Sequence, residues 1–270
     1  MRRFLLVSMA VAVWVSPAAA QEWAKARLDK SPRHQEFIKV KSSGREVECF
    51  IVYPEVKQAA PAVLVIHEIF GLTDWARDVA DRLAEAGYIA IAPDLLSGKG
   101  PSGGGTSSFA GRDAAMRAVS GLPPSQVTRD LDAAAAYVVA LPACNHKLAV
   151  GGFCWGGSQT FRYATHNPSL KAAFIFYGSG PTNAADIARI RCPVFGFYGG
   201  NDNRVTATVV RSAELMKNAG KTFEPVTYEG AHHGFMRMGE APDAKSDDAK
   251  AFASGWKRWL ELLKSVDREP

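Results

Sequence analysis

Beyond residue 20, the 270-residue chain has no apolar run long enough to cross a bilayer, no clustered basic stripe, no internal repeat and no dividing linker. The first lack excludes a spanning helix in the body of the chain, because such a helix needs about 20 consecutive apolar residues. The second argues against nucleic acid as a partner, since phosphate binding gathers Lys and Arg on one face. The other two point to one folded unit. Net charge is also small: of the formal +5, Arg2 and Arg3 supply two, leaving +3, an ordinary balance for solubility. Cysteine is sparse, with Cys49, Cys144, Cys154 and Cys192 only.

The start of the chain is different in kind. Met1-Arg2-Arg3 leads into a charge-free apolar stretch from Phe4 to Val15, followed by Ser16-Pro17-Ala18-Ala19-Ala20 and the polar Gln21-Glu22. That basic, apolar and small-residue order is a secretory signal, with Ala18 and Ala20 fitting an AxA cleavage site. Residues 1–20 are therefore expected to be a signal peptide, residues 21–270 one domain, and the location periplasmic or secreted, with no membrane contact after cleavage. An oxidising compartment allows a disulfide among Cys49, Cys144 and Cys192, while small buried thiols are the alternative.

Apolar runs alternate with helix-period segments from Glu36 onward. The runs at 47–53, 62–67, 88–93, 147–152, 172–177, 193–198 and 222–228 read as strands, several of them continuous enough to be covered on both faces. Between them, Trp75, Val79 and Leu83 recur at helical spacing before Gly87. Val127, Leu131, Ala134, Val138 and Leu141 do so before Pro142, and Phe252, Trp256, Trp259, Leu260 and Leu263 mark a last helix whose aromatic stripe reads as core. The pattern predicts an α/β fold: a mostly parallel sheet with helices on both faces. Residues 95–121 interrupt it with a glycine-rich start, as a functional lid or a disordered loop does.

The chemistry begins at Gly152-Phe153-Cys154-Trp155-Gly156, where a strand ends and a helix begins in one sharp turn. A central residue in such a strained turn needs small neighbours two before and two after, and both are glycine. The turn also sets the side chain at the positive end of a helix, which lowers a thiol's pKa. This is the nucleophile elbow of α/β-hydrolases with sulfur replacing oxygen, and in that fold the order along the chain is nucleophile, acid, base. Asp202 follows the 193–198 strand in Gly199-Gly200-Asn201-Asp202, and a histidine follows the next strand in Gly230-Ala231-His232-His233-Gly234-Phe235. The order alone leaves His232 and His233 both open. The loop His67-Glu68-Ile69-Phe70-Gly71-Leu72 stands where this fold supplies one oxyanion-hole N–H, so Ile69 and Trp155 are the expected donors. Glu68 is a carboxylate able to accept a proton from the thiol or hydrogen-bond to it.

Taken together, Glu68 with Ile-Phe-Gly, the elbow Gly-Phe-Cys-Trp-Gly-Gly, Asp202 after Gly-Gly, and His233 before Gly-Phe resemble the dienelactone hydrolase (carboxymethylenebutenolidase) family over most of residues 21–270. The resemblance implies a single-domain α/β-hydrolase fold, His233 as base, and a glutamate at Glu68 that activates the cysteine when substrate binds. It also implies Arg237, four residues after the base, as a binder of the substrate carboxylate. The implied reaction opens a small lactone or ester through a Cys154–Asp202–His233 triad and an acyl-enzyme, with no metal or organic cofactor. A second family arginine, in the loop after Pro93-Asp94-Leu95, is missing, so only Lys99 or Arg112 could supply that charge.

Two other readings stand beside this one. A general carboxylesterase would use the same triad on neutral esters. A binding or redox-sensing protein would keep the pocket and use Cys154 chiefly as an oxidisable thiol.

Overall fold

The computed structural model describes residues 21–268; the expected signal peptide lies outside the described residues. Among these, an eight-stranded sheet forms the centre, in the order β1-β2-β4-β3-β5-β6-β7-β8. Its strands are β1 (Gln35–Ser42), β2 (Arg45–Val52), β3 (Ala60–Ile66), β4 (Ile89–Pro93), β5 (Cys144–Phe153), β6 (Ala172–Phe176), β7 (Val194–Gly199) and β8 (Phe223–Tyr228). Strands β1 and β2 form an antiparallel hairpin that pairs antiparallel with β4, and every later pairing is parallel. The α/β prediction with a mostly parallel sheet therefore holds.

Burial explains which strands the sequence announces. In β4 and β6 every residue is buried, so each reads as a continuous apolar run. β1 is an edge strand whose exposed face carries Phe37, Lys39 and Lys41, and it has no such run; it is the strand absent from the sequence reading. Strand crossovers carry the helices onto two faces. On one face, α3 (Arg112–Ser120), α4 (Pro124–Val139), α5 (Trp155–Ala164), α6 (Ala184–Ala188) and α7 (Asn203–Asn218) cover Ile51, Leu64, Ile66, Val150 and Ile175. On the other, α1 (Glu22–Leu28), α2 (Asp74–Glu85), the single turn α8 (Phe235–Met238) and α9 (Ser246–Arg268) cover Phe50, Val63, Val65, Phe153 and Phe176. Helix α2 starts where Thr73 accepts a hydrogen bond from the Ala76 N–H, and ends before Gly87 at φ +99°.

Cys49, Cys144 and Cys192 are free, buried thiols on the first face, the second of the two alternatives for them. Their surroundings hold them protonated, burial pushing the Cys192 thiol up to about 12. A third of the 95–121 interruption is ordered as helix α3, which forms after the glycine-rich start. Before it, Asp94 accepts from the Leu96 N–H (3.0 Å), the Thr106 N–H (2.6 Å) and the Thr106 hydroxyl (2.7 Å). The same hydroxyl accepts from the Leu72 N–H, tying this loop to the one after β3.

Beneath the C-terminal strand edges lies an aromatic stack. Phe153 lies 4.6 Å from Phe176, Phe176 lies 4.3 Å from Phe197, and Trp259 of α9 closes edge-on over Phe176 at 4.8 Å. The last helix is thus core on this face, as its stripe implied. Trp259 is fully buried and its Nε1 has no hydrogen-bond partner, so packing alone holds it. Trp259→Ala is expected to cost about 3–5 kcal/mol in denaturant unfolding, and Trp259→Phe distinctly less because no hydrogen bond is lost.

Candidate active site

The elbow is built as the residues demand. Cys154 sits between β5 and α5 with φ +57° and ψ −117°, a conformation rare for any residue with a side chain. Its N–H donates to the Phe176 carbonyl at 3.0 Å, pinning the turn to β6. Glycine is required at 156 by close approach: a Cβ there would collide with the carbonyl oxygens of Ile66 and His67 at the end of β3. At 152 a Cβ would meet the Gly156 backbone and Thr160.

The thiol is half-buried, and the N–H groups of Trp155 and Ile69 both reach it, with the Arg204 charge also in range. These lower its pKa, as the helix N-terminus implied. Burial is the larger influence, Glu68 adds to it, and the net direction is upward. The expectation of a depressed thiol pKa is therefore corrected: the local N–H groups act in the expected sense and are outweighed by lost solvation and a neighbouring carboxylate.

Asp202 follows β7 at the start of α7 and is 7% exposed. His233 follows β8, and its Nδ1 lies 2.5 Å from Asp202 Oδ2. Its Nε2 is buried and has no partner among the described residues. His232 turns elsewhere: its Nδ1 is 3.2 Å from Asp248 Oδ2, and its N–H donates to Asp248 Oδ1 at 2.7 Å. Of the two histidines the order left open, His233 is the one that meets Asp202.

Glu68 is 3% exposed and accepts from Arg237 Nε at 2.7 Å. The Glu68 charge beside it is the largest influence on Arg237 and raises its pKa. A Cβ on Gly234, next to His233, would come within 3.9 Å of Glu68 and 3.5 Å of Arg237, so this ion pair flanks the histidine turn. Arg112 stacks on Phe70 with its guanidinium carbon 4.0 Å from the ring centroid, and Arg237 reaches the same ring at 5.4 Å. Arg112 makes no ion pair with a described residue; burial, then the Arg237 charge, lowers its pKa. Lys99 lines a separate groove with Lys39, Arg45, Glu46 and Glu48. The structure brings Arg112 rather than Lys99 toward Arg237.

Tyr177 is the residue the sequence reading passed over. It follows β6 at φ +42°, fully buried, with its ring 5.1 Å from His233 and its hydroxyl facing Glu68. Burial and Glu68 push its pKa well up. Its one signal in sequence is its place at the end of an apolar run on the same sheet edge. Among the described residues no three His, Cys, Asp or Glu side chains converge as metal ligands.

A nearly parallel sheet with a cysteine elbow after β5, an acid after β7 and a histidine after β8 defines an α/β-hydrolase. The chain belongs to the dienelactone hydrolase family, whose model matches residues 47–267. It is similar to a Methylorubrum extorquens protein named as a carboxymethylenebutenolidase, with 34% identity over 92% of this chain and 86% of that protein. An Escherichia coli K12 protein of the same name is also 34% identical, over 84% of this chain and 86% of its own length. A crystal structure from Klebsiella pneumoniae, titled as a dienelactone hydrolase, superposes with a TM-score of 0.75 at 29% identity, covering 88% of this chain and 99% of that one. The chain is a carboxylic ester hydrolase of this family, acting on small-molecule esters.

Glu68→Gln removes a negative charge beside the thiol and leaves Arg237 unopposed, and both changes lower the Cys154 pKa. Alkylation of Cys154 by neutral iodoacetamide at neutral pH is expected to speed up severalfold, and its pH profile to move to lower pH.

Proposed function

We propose that this protein is an exported thiol hydrolase that opens a small, anionic, dienelactone-like lactone or ester through Cys154, Asp202 and His233. The observation that carries the reading is the convergence at the elbow. A cysteine held at positive φ is reached by two backbone N–H groups, and a histidine pinned by Asp202 keeps its other ring nitrogen unpartnered and shielded.

In the resting state the raised pKa keeps Cys154 a thiol, and Arg237 holds Glu68. A substrate carboxylate competes for Arg237, with Arg112 supplying a second positive charge across Phe70. Glu68, released from its partner, takes the thiol proton. The thiolate attacks the carbonyl carbon, and the oxyanion lies between the Ile69 and Trp155 N–H groups. The C–O bond breaks, the departing oxygen takes from Glu68 the proton that came from the thiol, which restores the Glu68 carboxylate, and a thioester remains on Cys154. Water, deprotonated by His233, attacks the thioester and expels the thiolate. Asp202 keeps the His233 Nδ1–H oriented and stabilises the imidazolium.

Export with cleavage after Ala20 is part of the proposal and rests on residues 1–20 alone. No other chain or macromolecule enters it.

The test is hydrolysis of dienelactone beside a neutral aryl ester of similar size. Cys154→Ala is expected to lower both rates by about a thousandfold or more, with unfolding unchanged. Full esterase activity in that variant would overturn the role of the cysteine. Arg112→Ala is expected to raise KM for the lactone by about tenfold and to leave the neutral ester as in the wild type. Wild-type preference for the neutral ester would retain the triad and replace the substrate class by neutral esters.

A further inference from the structure

His67 has no part in the reaction above, yet it is wholly buried at the end of β3, directly against the elbow. Its Nδ1 faces the carbonyl oxygen of Glu68 at 2.7 Å. A carbonyl oxygen only accepts hydrogen bonds, so Nδ1 carries the proton. Burial lowers the pKa of this ring, outweighing the nearby Asp94 and Glu68 charges, and keeps it neutral. Nε2 is then a bare lone pair, in keeping with its lack of a partner.

The Glu68 carbonyl and the Ile69 N–H are the two ends of one trans peptide plane. Holding the oxygen in one direction therefore holds the N–H in the opposite one, and that N–H reaches Cys154. The other face of the imidazole lies on the indole of Trp155, with ring centroids 5.7 Å apart and planes 15° from parallel. Trp155 supplies the second N–H at the sulfur. The His67 carbonyl itself roofs Gly156. One neutral ring thus touches Trp155 and the peptide group that carries the Ile69 N–H. The Gly71 N–H also donates to the Glu68 carbonyl, at a longer 3.2 Å, so the peptide keeps one weaker tether without His67.

We propose that His67 is the positioning residue of the oxyanion hole: as a neutral donor it sets the Glu68–Ile69 peptide plane, and by stacking it seats Trp155. This rests on the reading of Ile69 and Trp155 as oxyanion donors. His67→Phe keeps a ring against Trp155 and removes the donor, whereas His67→Asn places an amide N–H near the position of Nδ1. Misaligning one donor is expected to lower kcat of His67→Phe by about ten- to a hundredfold, less than or equal to the loss of a donor outright. KM is expected to stay within about twofold, since the lost interaction belongs to the transition state. His67→Asn is expected to recover kcat to within about threefold of wild type, and iodoacetamide alkylation of Cys154, which forms no oxyanion but draws on a thiolate that the Ile69 N–H stabilises, to slow in His67→Phe by less than kcat does and to run near the wild-type rate in His67→Asn.

Wild-type kcat in His67→Phe, or equal losses in both variants, would overturn the proposal. A separate check needs no variant: nitrogen NMR of histidine-labelled wild-type protein is expected to show His67 protonated at Nδ1 and not at Nε2 at neutral pH. The opposite tautomer overturns the proposal whether or not the variants fold. If Cys154 is not the nucleophile, wild-type turnover survives Cys154→Ala, which separates failure of the underlying reading from failure of this one.

Discussion

Everything at this site depends on a backbone angle: Cys154 at φ +57°, in the sharp turn between β5 and α5. A non-glycine residue there costs about 1–3 kcal/mol, and the surrounding structure must hold it. The Cys154 N–H bond to β6 closes one side of the turn. The contact of Gly156 with the last carbonyls of β3 closes another, and it is possible only because no side chain intervenes. Under the turn, the Phe153, Phe176, Phe197 and Trp259 stack resists any sinking of the strand edge. These constraints aim the sulfur outward while bringing Trp155 and the loop after β3 to the same point.

Electrostatics then divides the labour between two imidazoles and two arginines. Both His67 and His233 are oriented through Nδ1, but one bonds a carbonyl and the other a carboxylate. A buried ring on a carbonyl stays neutral and serves as a fixed strut, whereas a ring on a carboxylate can gain a proton at Nε2 and be stabilised as a cation. Among the arginines, Arg237 is neutralised by Glu68 and Arg112 is not, although both lean on Phe70. The Cys154 thiol is held protonated by burial and Glu68. In the proposed reaction an incoming anion changes that balance, coupling substrate binding to formation of the nucleophile.

The sheet interior was legible because its strands are buried on both faces, where continuous apolar runs are the direct record of burial. The edge strand β1 leaves no such record, and α1 is a short helix whose place depends on ion pairs, with Arg27 bonding Asp78 and Glu240. Cys154, Asp202 and His233 could be located because each follows a strand in a glycine-marked turn. The choice of His233 over His232 came from resemblance alone; the physical reason is Asp248, far along the chain, which takes His232 for itself. Phe70 and Arg112 meet only through the packing of the segments after β3 and β4, and no spacing in the chain encodes that meeting. The direction of the Cys154 pKa was likewise hidden, since burial is a property of the folded surroundings and the helix N-terminus is local.

The central claim is that the sulfur of Cys154 becomes acylated during turnover. The most direct measurement is mass spectrometry of enzyme mixed with an excess of ester, quenched in acid within the first turnovers and digested. The account expects the mass of the acyl group on the peptide that carries Cys154, accumulating and then decaying as substrate is consumed. Sustained hydrolysis with that peptide unmodified, or with the acyl group on another residue, would contradict it.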